Sequence, residues 1–165
     1  MPETVLSPIG PDPMALLARS VSVIVGSADD ARRPHLMRAV GFRLSEDRRR
    51  LMVLLTRGGA QEVLDDLRRN GRIAVVFSEP STHRTVQVKG SDAVVSAALA
   101  DDEQLAARYL ERFIEEIAQL GFGAEVARTL LAHGGDLVAV HFTVEAAFEQ
   151  TPGPAAGEPL AASGR

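Results

Sequence analysis

Thr56-Arg57-Gly58-Gly59-Ala60-Gln61 is the segment best suited to chemistry. It joins the apolar run Leu51–Leu55 to a stretch of helical character that ends at Asn70. Free backbone N–H groups at a helix start, together with the helix dipole, can hold a phosphate. Glycine lets a ligand come close to the backbone. Arg57 adds a guanidinium suited to a charge-assisted contact. The same residues equally make an ordinary strand-to-helix turn with a solvated arginine, and spacing leaves both readings open.

A second group lies further along. Thr85, Gln87 and Lys89 alternate with Val86 and Val88, so they share one face of a strand. Such a stripe can hydrogen-bond the polar edge of a ring cofactor. It can also be the wet side of an antiparallel sheet. Arg38 and Arg43 sit on an earlier strand pattern and are odd choices for a core. Each either reaches a ligand phosphate or carbonyl or snorkels to water.

Other chemistries are poorly served. His35, His83, His133 and His141 form no i, i+3 or i, i+4 ligand pair, so no metal site is expected. No Gly-x-Ser-x-Gly elbow is present. Gly121-Phe122-Gly123 follows a helix pattern instead of a strand, which rules out a dinucleotide fingerprint. The absence of cysteine excludes thiol catalysis, disulfides and Cys-ligated metals. No side chain is marked as a general acid or base, so catalytic residues stay unassigned.

The elements that must carry these groups follow from pattern. Asp12-Pro13 reads as a cap and first helical residue, with a short helix over Met14–Arg19. Val21–Val25 is a buried strand. His35–Leu44 and Arg50–Arg57 form a hairpin around Ser45–Arg49. Val63, Leu64 and Leu67 mark one face of a helix over Gln61–Asn70, stopped by Gly71. Ile73–Phe77 and a long Arg84–Val95 are strands. Asp101 caps a helix to about Leu120, with Leu105, Tyr109, Phe113 and Ile117 on its core stripe. Glu111, Arg112, Glu115 and Glu116 face water. A helix over Ala124–Ala132 and a strand from Leu137 to Val144, extending toward Glu149, complete the set. Helices do not alternate with single strands, so a mostly antiparallel sheet fits better than a doubly wound parallel one. Closing that sheet is one way to remove its exposed edges.

The 165 residues suit one domain over 1–150, with a Pro/Gly/Ala-rich tail at 151–165 that has no core of its own. A net charge of −4 argues against a dedicated nucleic-acid binder. No apolar run is long enough to span a bilayer, and Met-Pro-Glu-Thr shows no secretory signal, so a cytoplasmic location is expected. Lys89 is the only lysine beside many arginines, a bias of GC-rich bacterial genomes.

The order of elements over Val21–Val95 resembles the flavin-binding core of the pyridoxamine 5′-phosphate oxidase-like split barrels. Arg38-Ala39-Val40 is similar to the Arg-x-Val segment that lines the flavin ring in that family. Arg43 matches its following basic residue, and Thr56 the threonine near the ribityl phosphate. Arg84-Thr85-Val86 stands where the family has Arg-Gln-Val. The resemblance implies a mainly β, mostly antiparallel split β-barrel with flanking helices. It implies a homodimer that holds flavin mononucleotide (FMN) at its interface, and an oxidoreductase acting on an unassigned small molecule. The candidate cofactor-binding residues are then Arg38, Ala39, Val40, Arg43, Thr56, Arg57, Gly58, Gly59, Gln61, Arg84, Thr85 and Gln87.

Three departures accompany the likeness. Where the family places a serine and a basic residue after the turn, this chain reads Ala60-Gln61-Glu62-Val63. Thr85 replaces a glutamine. The chain has no tryptophan, which the true oxidases use to bind pyridoxamine phosphate, so that reaction is not expected. The alternatives are a deazaflavin or haem in the same groove, or a non-catalytic split barrel whose phosphate site has degenerated.

Overall fold

The computed structural model of the chain describes residues 11–160. Its elements run α1 (Pro11–Leu17), β1 (Ser22–Ala28), β2 (Pro34–Arg38), β3 (Gly41–Leu44), β4 (Arg50–Thr56), α2 (Gln61–Asn70), β5 (Ile73–Ser78), β6 (Thr85–Gly90), β7 (Val94–Ala97), α3 (Ala100–Ala118), α4 (Ala124–Leu130), β8 (Leu137–Thr143) and β9 (Ala146–Glu149). They build a five-stranded sheet, β2-β1-β5-β6-β9, and a four-stranded sheet, β3-β4-β8-β7. Every strand pairing is antiparallel.

The two sheets differ in how they are covered. In the five-stranded sheet Val23, Val25, Val75, Phe77, Val86 and Val88 are buried, and the residues between them are partly open. One covered face explains that alternation. In β4, Leu51–Leu55 are buried without a break, as expected of a strand covered on both sides. The sheets meet where the Phe42 and Phe77 rings touch edge-on, 5.0 Å apart. They meet again at Gly90, where a Cβ would stand 2.5 Å from the Thr143 carbonyl oxygen.

The sequence pattern suggests longer strands than the structure has, and the reason is the same each time. The chain crosses from one sheet to the other inside an apolar stretch. Ala39 N donates to Val23 O of the first sheet, and the next residue, Val40, donates to Leu54 O of the second. His35–Leu44 is therefore two strands, not one. Arg84–Val95 divides likewise at Ser91–Ala93, where Ala93 N turns away to Gly71 O. Asp92 holds that corner, accepting from the backbone N and Oγ1 of Thr143, each at 2.7 Å. Leu137–Glu149 divides at Val144 and Glu145, whose N–H groups go to Arg49 O and Lys89 O. These crossings give two separate antiparallel sheets that do not close into one continuous barrel, with edges at β2, β3 and β7, while residues 158–160 pair along β9.

Helix ends show smaller corrections. α1 begins at Pro11, which puts Asp12-Pro13 inside its first turn and not before it. In α3 the N-cap position is Leu99, not Asp101, and Asp102 reaches back to it, its carboxylate accepting from Leu99 N at 2.8 Å. Glu116 does not face water; it is buried and accepts from Ser81 N at 2.9 Å. Gly71 ends α2 in the left-handed region (φ 67°), and a Cβ there would meet Ser91 O at 2.6 Å. Residues 151–160 double back on β9. Leu160 N donates to Ala147 O, Glu149 N donates to Glu158 O, and Leu160 packs against the core.

Candidate functional site

Thr56 ends β4, and Arg57–Gly59 form one 3-10 turn before Gln61 opens α2. The residue at the α2 N-cap is Ala60, which has no side-chain acceptor, so no side chain caps the helix start. The first N–H groups of a ten-residue helix are thus open to an anion. A Cβ on Gly58 would meet nothing within 4 Å, which leaves that side of the turn clear. A Cβ on Gly59 would come within 2.9 Å of Met37 Cε and 3.4 Å of Thr56 Oγ1. The turn therefore rests on β2 through Met37. Arg57 is exposed and shared with Asp136, donating through its Nε to Asp136 Oδ1 at 3.3 Å. Glu62 lies in the first turn of α2 and opposes a bound anion there.

The next residue after Met37 is Arg38, on the opposite side of β2. It begins a polar row across the outer face of the five-stranded sheet. Arg38 Nη1 donates to Ser22 Oγ at 2.6 Å. Ser22 pairs in register with Ser78, and Ser78 with Thr85. The Ser78 and Thr85 hydroxyls are 2.8 Å apart, and Thr85 N donates to Thr151 Oγ1 at 3.0 Å. The adjoining row runs Arg38, Ile24, Val76, Gln87, Phe148. Arg38 and Gln87 are three strand spacings apart on it, about 14 Å. Neither the remaining Arg38 donors nor the Gln87 amide has a hydrogen-bond partner among the described residues. Ser22, Ser78 and Thr151 were not recognisable from sequence, because register and not local spacing aligns them.

The other candidates fall elsewhere. Ala39 and Val40 are buried, and their N–H groups bond to Val23 and Leu54, so only their position beside Arg38 relates them to a ligand. Arg43 is on β3, in the second sheet, 3.4 Å from Asp102. Arg84 is exposed just before β6. Glu149 nearby is held below its usual carboxylate range, first by its hydrogen bond with Thr151 and in small part by the Arg84 charge. Burial raises the Tyr109 hydroxyl well above its ordinary value, with the Arg38 charge pulling the other way. Tyr109 donates to Val21 O at 2.7 Å.

Behind β2, on the side away from Arg38, Asp66 of α2 is buried. It accepts from Ser27 Oγ at 2.7 Å and pairs with His35 Nδ1 at 2.7 Å. This triangle fixes α2, and with it the Gly58–Gln61 turn, against β1 and β2. Among the described residues no group of three or more His, Asp or Glu side chains is placed to hold a metal. Nor is any helix there long and apolar enough to cross a membrane.

No known family profile and no curated protein matches the sequence. The fold has many solved counterparts. HupZ from Group A Streptococcus superposes with a TM-score of 0.54 at 19% identity, over 90% of this chain and 99% of that one. A protein from Lactobacillus delbrueckii, provisionally assigned as a pyridoxamine 5′-phosphate oxidase, gives 0.53 at 14% identity, over 85% and 93%. An F420 reductase gives 0.52 at 14% identity, over 81% and 93%. These matches span most of the chain, with its two antiparallel sheets and the helix between β4 and β5, and the chain shares the fold of pyridoxamine 5′-phosphate oxidase-like proteins.

Proposed function

We propose that two copies of the chain hold an FMN between them and use it to oxidise or reduce a small molecule. The observation that carries this reading is the junction at β2. The uncapped start of α2 rests on Met37, and the adjacent Arg38 opens the polar row that leads to Thr85. A phosphorylated ring compound needs both features, an anion cradle and a polar-edged surface, within one ligand's length. The site fits the phosphate through backbone N–H groups and Arg57 more than through a cluster of basic side chains. Arg38 and Gln87 offer donors to ring carbonyls. When bound, the flavin supplies the hydride or electron transfer, while the chain binds and orients it.

The outer face also supports a partner copy. Ile24, Gly26, Ala74 and Val76 line it, and Leu36 is 72% exposed beside them. A second chain seated there would cover this surface and enclose the ring. A deazaflavin is the second reading, supported by the F420 reductase among the structural counterparts.

Titration with FMN and with riboflavin separates the parts of this proposal. Wild type should bind FMN more tightly than riboflavin, because only FMN uses the turn. Arg57→Ala should weaken FMN binding about tenfold or more, the worth of one charged hydrogen bond. Glu62→Lys should leave binding unchanged or tighten it. Equal affinity for the two ligands would remove the turn from the site. No binding of either at millimolar concentration would overturn the flavin reading.

A further inference from the structure

We infer that the chain has a second ligand site, between α1, β3 and α3, and that it takes a small apolar anion such as a medium-chain or single-ring carboxylic acid. A cavity of about 320 Å³ opens there. Leu17, Val21, Phe42, Leu105 and Phe113 wall it, and among the described residues the charged ones along it are Arg19, Arg43, Arg108 and Arg112. This volume is at the small end for ligand pockets. It accommodates a short acid and is too small for a whole flavin nucleotide.

The charge is arranged for an amphipathic guest. α3 turns Leu105, Arg108, Tyr109, Arg112 and Phe113 toward the cavity, the i, i+3, i+4, i+7, i+8 face of a helix. Tyr109 and Phe113 are the buried members of this face, and Arg108 and Arg112, both exposed, stand four residues apart on its solvent side at the cavity rim. Like charges at that spacing repel. Arg19 and Arg43 are already answered, by Glu79 at 2.5 Å and Asp102 at 3.4 Å. Arg112 donates only to the Ala18 carbonyl, at 3.2 Å. Arg108 has no hydrogen-bond or ion-pair partner among the described residues. An anion between Arg108 and Arg112 would relieve their repulsion. The inner wall is apolar and rigid: Tyr109 stands edge-on to Phe42 and stacks with Phe113, each at 6.2 Å. The Tyr109 hydroxyl is spent on Val21 O, and among the described residues Ser20 is the other uncharged polar side chain along the wall. The tail goes in and the carboxylate stays at the rim.

Calorimetric titration with octanoate, 1-octanol and octylammonium tests this on the full chain without flavin. Octanoate should bind at least tenfold more tightly than octanol, and octylammonium should not bind. In the Arg108→Ala, Arg112→Ala double variant the octanoate preference should fall about tenfold or more, to the level of octanol, with octanol unchanged. Methyl NMR of the unmodified protein locates the site without any substitution. Octanoate should shift the signals of Leu17, Leu44 and Leu105. Equal binding of octanoate and octanol, or shifts confined to other residues, would overturn the inference. Either result leaves the flavin proposal untouched, since Arg38, Arg57, Thr85 and Gln87 do not line this cavity.

Discussion

Asp66 shows how one residue's chemistry holds the candidate site in place. Its buried carboxylate answers Ser27 and His35 at once, so α2 cannot shift without breaking both bonds. Asp66→Ala should cost about 1–3 kcal/mol, the usual consequence of leaving buried polar partners unanswered. Urea denaturation at neutral pH measures it. Two glycines give an opposite pair of outcomes. Gly90→Ala places a methyl group 2.5 Å from a backbone carbonyl and 2.6 Å from the Phe142 ring, in a place where neither side can yield easily. It should destabilise by about 1–3 kcal/mol. Gly58→Ala meets nothing within 4 Å and should change stability by less than about 0.5 kcal/mol. Were both variants equally stable, the close approach of the sheets at Gly90 would be wrong. Residue types alone could nominate Gly58 and Arg57 as interesting. They could not show that Gly59 leans on Met37 or that Asp136 takes part of Arg57's charge, because those partners are distant in sequence.

Elements were legible where their pattern was local. α2 reads straight from Val63, Leu64, Leu67 and the Gly71 stop, and the structure has the same bounds. The strand interiors read equally well from alternation. The crossings between sheets did not, because an apolar run looks the same whether its hydrogen-bond partners change sheets or not. Ala39-Val40 is the clearest case: two small apolar residues in a row, one bonded to each sheet. The crossing at Asp92 makes a pH prediction. Burial pushes the Asp92 carboxyl up, but the hydrogen bonds from Thr143 outweigh it, so the group is held below its ordinary value. A lowered folded-state value gives stability that is full above the unfolded value, about 3.9, and is lost as pH falls through the folded one. Asp92→Asn should therefore lose less stability than wild type between pH 5 and pH 3. Equal losses in urea midpoints over that range would show that Thr143 does not depend on the carboxylate.

At the scale of the whole molecule, the outer face of the five-stranded sheet is the feature left without an internal explanation. Ile24, Gly26, Ala74 and Val76 there are only partly buried and Leu36 is exposed, and the polar row has donors to spare among the described residues. Function was the least legible level, since the residues that frame the β2 junction come from β1, β2, β5, β6 and the turn before α2, and only the folded register aligns them. The most direct test is sedimentation of the protein with added FMN, followed by absorbance at flavin wavelengths. The yellow signal should move with a species of twice the 17.6 kDa chain mass, and it should follow the protein again after dilution into flavin-free buffer at low micromolar concentration. Flavin that stays behind while the protein sediments, or that travels with a monomer, would contradict the shared site.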